Sequence, residues 1–164
     1  MSVIATETRP ALQGARLTAF ELKVDGFQVT LIADTAVGYM FSRGAASKAI
    51  VGADRILATG HVFNKIGTYQ LAVLARRHGK PFFVAAPSST FDLHSRPEDV
   101  VIEERGVEEV VEFAGRRVAP RGVKVRNPAF DMTPPELVSA IITEKGVLRP
   151  PYTKSIRKMF KGDA

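Results

Sequence analysis

KAIVGADRILATGHVFNKIGTY, residues Lys48 to Tyr69, carries the β-to-α passage around which the rest of the chain is arranged. Ala49, Ile50 and Val51 form a short apolar run with β-branched side chains, the pattern of a strand buried in a parallel sheet. Asp54 follows at the carboxyl end of that strand, where open α/β sheets place their ligands. Ten residues on, Asn64 and Lys65 supply an amide and a cation where Asn64-Lys65-Ile66-Gly67 is expected to open a helix, and a helix N-terminus favours phosphate. The composite suggests a carboxylate facing a phosphorylated small molecule. On spacing alone, Asp54 is equally a turn residue and Asn64 a helix cap, so both uses stand open.

Upstream, Ser2–Thr6 is expected to be a strand, and Glu7-Thr8-Arg9-Pro10 a polar turn. Gln13-Gly14 then leads into a helix with Leu17, Phe20 and Val24 at helical spacing, closed by Asp25-Gly26. Taken by itself, Gln13 reads as a loop amide serving nearby backbone. A second apolar strand spans Gln28 to Ala33, and Asp34 after it reads more readily as a helix cap than as a second active-site acid. A short helix over Ala36, Val37, Tyr39 and Met40 stops at Gly44.

Downstream of the opening stretch, the helix is expected to turn Tyr69, Val73 and Leu74 inward and to end in Arg76-Arg77-His78 before Gly79, basic residues suiting the negative end of the dipole. Phe82 to Ala86 is a further buried strand, followed by the hydroxyl-rich turn Pro87-Ser88-Ser89-Thr90, which suits a phosphate or a cap. Val100–Arg105 reads as β, GVEEVVEF as strand or helix, and Arg121–Asn127 as an edge strand. Thr133, Pro134 and Glu136 carry the signature of a capped helix, with Leu137, Ala140 and Ile141 as its stripe and Gly146 as its stop. This alternation predicts a three-layer α/β domain with a mostly parallel, Rossmann-like sheet over residues 1–150, followed by a basic segment, 151–164.

The 164 residues are one domain's worth, 45% hydrophobic, with enough length to bury a core. Cysteine is absent, which excludes a disulfide framework and a cysteine nucleophile in this chain, and His61, His78 and His94 show no metal-ligand spacing, so no metal is expected. No apolar run approaches the length of a membrane span and no signal-peptide pattern is present, so a cytoplasmic protein without membrane contact is expected. No GxSxG elbow and no GxGxxG are present, which argues against a serine hydrolase and a dinucleotide site. The formal charge is +6, but Arg149, Lys154, Arg157, Lys158 and Lys161 against Asp163 place +4 of it after residue 148. With the body nearly balanced, nucleic acid is not the expected partner; the basic end suits solvent or a neighbouring subunit.

Several of these stretches resemble one family. GADRI with NKIGTY, ETRPALQGARLTAFEL, AAPSSTFDL and IEERGVEEV are similar to the pattern of the methylthioribose-1-phosphate isomerases. Their superfamily also holds ribose-1,5-bisphosphate isomerase and the regulatory subunits of translation initiation factor 2B. The resemblance runs to about Pro150, and His61 departs from it where an acid is common. It implies an aldose-to-ketose isomerisation of a ribose 1-phosphate without a cofactor. Asp54 corresponds to the catalytic acid, Gln13, Asn64 and Lys65 to substrate contacts, and Asp131 to a residue near the rim. The alternative within the superfamily is a regulatory or binding subunit. The resemblance also implies that this is only the C-terminal half: a helical region and a first catalytic-domain strand bearing a cysteine would precede it. In doubly wound order that strand would lie between those at Val3 and Ile50, leaving the sheet's centre empty. The expected partners are a phosphorylated sugar and either further copies of the chain or a separately encoded N-terminal half.

Overall fold

The computed structural model describes residues 1–161, so the end of the basic segment, with Asp163, lies outside the described residues. The chain begins with β1 (Ser2–Thr6), a π-helical turn at Gly14–Thr18 that runs into α1 (Ala19–Val24), β2 (Gln28–Ile32) and α2 (Val37–Ser42). The opening stretch contributes β3 (Ala49–Val51), β4 (Arg55–Leu57) and β5 (Val62–Lys65), and then α3 (Thr68–Arg77). There follow β6 (Phe82–Ala85), β7 (Phe91–Asp92), α4 (Glu108–Val111), β8 (Glu112–Phe113) and β9 (Arg116–Arg117). The chain closes through β10 (Phe130–Thr133), β11 (Ala140–Thr143), β12 (Gly146–Leu148) and α5 (Tyr152–Lys161).

The parallel strands form two groups. β1 and β2 pair in parallel, Ser2 opposite Gln28 through Thr6 opposite Ile32. A second sheet has the order β12-β11-β6-β3, with β3, β6 and β11 parallel and β12 antiparallel at its edge. Among the described residues β1 has no ladder partner except β2, and β3 none except β6. The parallel strands are thus divided between two sheets, and doubly wound order places the interruption, and one more strand, between β1 and β3. A mixed sheet, β10-β5-β4-β7, holds the segment after β3.

The core explains why these residues make these elements. Phe82, Val84 and Ile141 from the parallel sheet and Ile56, Leu57 and Val62 from the mixed sheet are all but fully buried. Each large apolar side chain so enclosed contributes about 1.5–3 kcal/mol. Helix α3 lies on this core through Thr68, Ala72 and Ala75, small residues that let its backbone approach the sheet, while Tyr69 and Val73 face outward. The expected inward stripe of α3 is thus corrected, apart from Leu74, which packs against the core. Along the helical run Gly14–Val24 the predicted stripe forms but stays exposed among the described residues: Leu17, Phe20 and Val24 are 56%, 65% and 69% exposed.

Three further expectations are overturned. The helix expected from Thr133 is instead β10, a 3-10 turn at Pro135–Leu137, and the β11–β12 hairpin. Ile141 and Ile142 are β-branched and sit beside Val84 and Ala85 in the centre of the sheet, where burial outweighs the capping signature. Asn64 and Lys65 do not open a helix; they end β5, and Gly67, with φ +100°, turns the chain before α3 starts at Thr68. Neither Val100–Arg105 nor Arg121–Asn127 is a strand; a single bridge from Glu104 to Pro128 joins these stretches.

Helix α5 shows where the basic residues go. Tyr152 and Ile156 are buried in the core, and the Tyr152 hydroxyl donates to the Val138 carbonyl at 2.9 Å, with burial pushing its pKa up to about 12. Gly60, at φ +87°, leaves room for that ring, since a Cβ there would lie 2.6 Å from the Cβ of Tyr152. Lys154, Arg157, Lys158 and Lys161 occupy the outer face. No helix among the described residues is long and apolar enough to cross a membrane.

Candidate functional site

The loops after β1 and β3 flank the interruption in the sheet; Gln13 closes the first and Asp54 lies in the second, while Asn64 and Lys65 end β5 in the mixed sheet. Past β3, the Asp54 N–H donates to the Phe63 carbonyl at 2.9 Å, while Arg55 stands opposite the same Phe63 in the β4–β5 ladder. Two residues facing one is the arrangement of a bulge, which re-aims a side chain at a strand end. Asp54 is thereby fixed beside the residue that precedes Asn64, and it is exposed.

Asn64 and Lys65 are neighbours on a strand and so point to opposite faces. The Asn64 side-chain amide donates to the Thr68 hydroxyl at 2.9 Å, and that hydroxyl donates to the Lys65 carbonyl at 2.7 Å, tying the strand to the start of α3. Lys65 stands opposite Phe130, with Nζ 5.0 Å from the ring centroid. The N-terminus of α3, expected to take a phosphate, is filled by the protein itself. Asp131, opposite Asn64 in the β5–β10 ladder, accepts the N–H of Gly67 at 2.7 Å and of Tyr69 at 3.0 Å. Burial pushes the Asp131 pKa up against these bonds. Asp131 is thus a helix-terminating acid reached across a sheet, not from the preceding residues.

Gln13 opens the helical run after β1, and its Oε1 is buried with no hydrogen-bond partner. An unpaired buried amide oxygen costs roughly 1–3 kcal/mol, so the position is maintained against local stability. The loop leading to it holds Thr8 and Leu12 at φ 62° and 60°, in the left-handed region that non-glycine residues avoid. Gly14 is pressed so closely on the Thr6 carbonyl that a Cβ would lie 1.8 Å from it.

Asp34, expected to cap the turn after β2, does something else. Its Oδ1 accepts the Thr8 N–H at 2.8 Å and its Oδ2 the Arg9 N–H at 2.6 Å, across to the loop after β1. No side-chain cap forms at its own turn. Ser88 in the hydroxyl-rich turn donates its N–H and its hydroxyl to Glu144, so an internal carboxylate holds the place where an anion was one expectation. His61 pairs through Nδ1 with the Thr59 hydroxyl at 2.8 Å, within the β4–β5 turn. Among the described residues no group of three or more His, Asp or Glu side chains is placed to hold a metal.

Sequence reasoning missed a braced segment at the rim. The Glu104 carboxylate accepts Arg126 Nε at 2.7 Å and the Asn127 N–H at 2.7 Å. Glu109 accepts Arg105 Nε at 2.9 Å and the Asn127 side-chain amide at 3.0 Å, and Asn127 is only 4% exposed. Arg9 reaches the same segment, donating to the Glu109 carbonyl at 3.2 Å with its guanidinium 5.9 Å from the centroid of Phe113. The Arg105 bonds, with Asn127 and the nearby charge of Lys65, hold the Glu109 carboxyl down to about 2 from a usual 4.5. Arg126 lowers Glu104 in the same sense. A carboxyl depressed in the folded state contributes stability above its unfolded pKa and loses it as pH falls through the folded value. Amide exchange across residues 104–127, taken relative to the intrinsic rate at each pH, is therefore expected to accelerate as pH drops from about 4.5 to about 2, ahead of the β3–β6–β11 core. In Glu109→Gln that dependence flattens; equal acceleration in the core would show global acid unfolding instead.

The fold and the site together define a Rossmann-like α/β domain with Asp54 in the loop after the parallel strand β3 and Asn64 and Lys65 at the end of β5 in the mixed sheet. The chain belongs to the initiation factor 2 subunit family, whose profile matches residues 1–150. It is 59% identical over 162 residues to the methylthioribose-1-phosphate isomerase of Fervidobacterium nodosum, covering 98% of this chain and 46% of that protein. Among solved structures it resembles the 5-methylthioribose 1-phosphate isomerase of Pyrococcus horikoshii at TM-score 0.94 and 51% identity, covering 97% of this chain and 45% of that one. A structure described as translation initiation factor eIF-2B, subunit delta, from A. fulgidus matches at the same TM-score and 54% identity, covering 98% of this chain and 47% of that one. The chain thus spans just under half the length of the relatives it matches.

Proposed function

We propose that the chain provides the Asp54-bearing half of an aldose–ketose isomerase acting on a ribose 1-phosphate, S-methyl-5-thioribose 1-phosphate going to S-methyl-5-thioribulose 1-phosphate. The observation that carries this reading is the buried, unpaired Oε1 of Gln13 on one flank of the sheet's interruption, with Asp54 fixed by its bulge on the other. The high identity to relatives named as this isomerase supports it. Phosphorylation of the anomeric oxygen blocks free opening to an aldehyde, so the protein must assist ring opening and move one hydrogen from C2 to C1. Asp54 is assigned the proton exchange, and Gln13, Asn64 and Lys65 the hold on sugar and phosphate. No cofactor enters this scheme. Because Asn64 and Lys65 face apart, they serve different parts of the substrate, Lys65 with its charge being the phosphate partner.

The partner proposed is a polypeptide that inserts one strand, parallel to its neighbours, between β1 and β3. Two unpaired edges of parallel strands offer main-chain donors and acceptors on both sides, and Ile50, in the middle of β3, is 61% exposed. The occupant is the region of the full-length relatives that this chain does not match, and its arrival would close the open side over Asp54. In the enzyme so completed, Lys65→Ala is expected to raise KM for methylthioribose 1-phosphate about tenfold or more with kcat within about threefold. An unchanged KM would remove Lys65 from the phosphate contact; failure of the completed enzyme to convert this sugar would favour the regulatory-subunit alternative.

A further inference from the structure

The function just proposed uses Gln13 but leaves open what holds it in place, and the hydrogen bonds of Asp34 bear on that question. We infer that Asp34 is the positioning residue for the substrate loop Glu7–Gln13, fixing the backbone that aims Gln13 into the site; this rests on the assignment of Gln13 as a substrate contact. Four observations converge on it. Both carboxylate oxygens of Asp34 are used on the loop, one on the Thr8 N–H and one on the Arg9 N–H, from a position 26 and 25 residues away in sequence. The clamped Thr8 is itself strained, at φ 62°, and so is Leu12 further along the loop, at φ 60°. Strain of this kind persists only where surrounding contacts over-determine the backbone, and a charged acceptor on two consecutive amides is such a contact.

The rest of the loop is laced in register with the clamp. Glu7 N–H donates to the Ile32 carbonyl at 2.9 Å, Leu12 N–H to the Thr8 carbonyl at 2.8 Å and Arg16 N–H to the Leu12 carbonyl at 2.8 Å. Thr8 is therefore the junction: its N–H is held by Asp34 and its carbonyl holds Leu12, the residue next to Gln13. The π-helical turn that begins at Gly14 is a further departure from regular geometry, of the sort found where a side chain must be presented at a set angle. Asp34 neither caps its own turn nor has an oxygen uncommitted to this clamp, so its role is to act through Gln13 and not on substrate.

The test combines the 164-residue chain with the completed enzyme. In the isolated chain, Asp34→Ala is expected to speed amide exchange at Thr8 and Arg9 by about tenfold or more and to shift the Gln13 side-chain amide resonances, while exchange in β6 and β11 stays as in the parent. Asp34→Asn, which keeps one acceptor oxygen, should protect one of the two amides and shift Gln13 less. In the completed enzyme, Asp34→Ala should raise KM about tenfold with kcat within about threefold, and in a Gln13→Ala background it should add nothing. Unchanged protection at Thr8 and Arg9, or a full Asp34 effect on KM in the Gln13→Ala background, overturns the inference. A Gln13→Ala enzyme with parental KM would instead overturn the substrate assignment of Gln13, while the exchange data still decide whether Asp34 holds the loop.

Discussion

Asp54→Asn in the completed enzyme is expected to lower turnover of methylthioribose 1-phosphate by about 10²–10⁴-fold, the range for loss of a positioned acid or base, with KM changed by less than about threefold. The substitution keeps the shape of the side chain and leaves its backbone bond to Phe63 untouched, so the bulge that aims it should persist. The asparagine amide neither takes up nor releases a proton at the working pH, which isolates the chemistry from the geometry. Asp54 is exposed in the chain alone, so the environment a proton-transferring carboxylate needs is to be completed by the inserted polypeptide and the substrate. Near-parental turnover in this variant would remove Asp54 from the mechanism.

Ile50→Lys is expected to weaken binding of the complementary polypeptide by about 100-fold or more. Ile50 stands on the edge strand β3 opposite Phe83, and more than half of it is exposed. Insertion of a strand would bury it, and an ammonium buried without a partner costs several kcal/mol. The exposed Leu17 of the π-helical turn and Phe20 and Val24 of α1, together with Leu31 of β2, give further exposed apolar side chains on the elements next to β1. Titration of the chain with the complement, followed by the rise in its unfolding temperature, measures this directly. Equal affinity in Ile50→Lys would show that the complement does not occupy the edge of β3.

How much of this was legible depended on how far apart the determining residues lie. β3 and β6 were plain because AIV and FFVAA are continuous apolar runs, whereas the interruption beside β3 came from the resemblance, which implies one more strand that doubly wound order places there. Asp54 was singled out from its place after β3 and Gln13 through the family resemblance, but nothing local reveals that the Gln13 oxygen would be left unpaired. The β11–β12 hairpin was hidden because Thr133-Pro134-Pro135-Glu136 carries the chemistry of a helix start, and only the neighbouring strand β6 tells Ile141 and Ile142 to extend. The supposed phosphate site at a helix N-terminus failed for a similar reason. Asp131, more than 60 residues away in sequence, lies across the β5–β10 ladder and supplies the anion itself. Asp34 looked like a cap because caps are local, whereas its partners Thr8 and Arg9 come from the preceding strand's loop.

Methylthioribose 1-phosphate labelled at C1 and C2 with ¹³C, incubated with the chain alone, with the complementary polypeptide alone and with both, tests directly whether this is half of a sugar-phosphate isomerase. The ketose carbon signal should grow only when both are present, and should disappear when the chain carries Asp54→Asn. Ketose formed by the chain alone, or at an undiminished rate by the complex carrying Asp54→Asn, would contradict the assignment of the catalytic site to Asp54 beside an inserted strand.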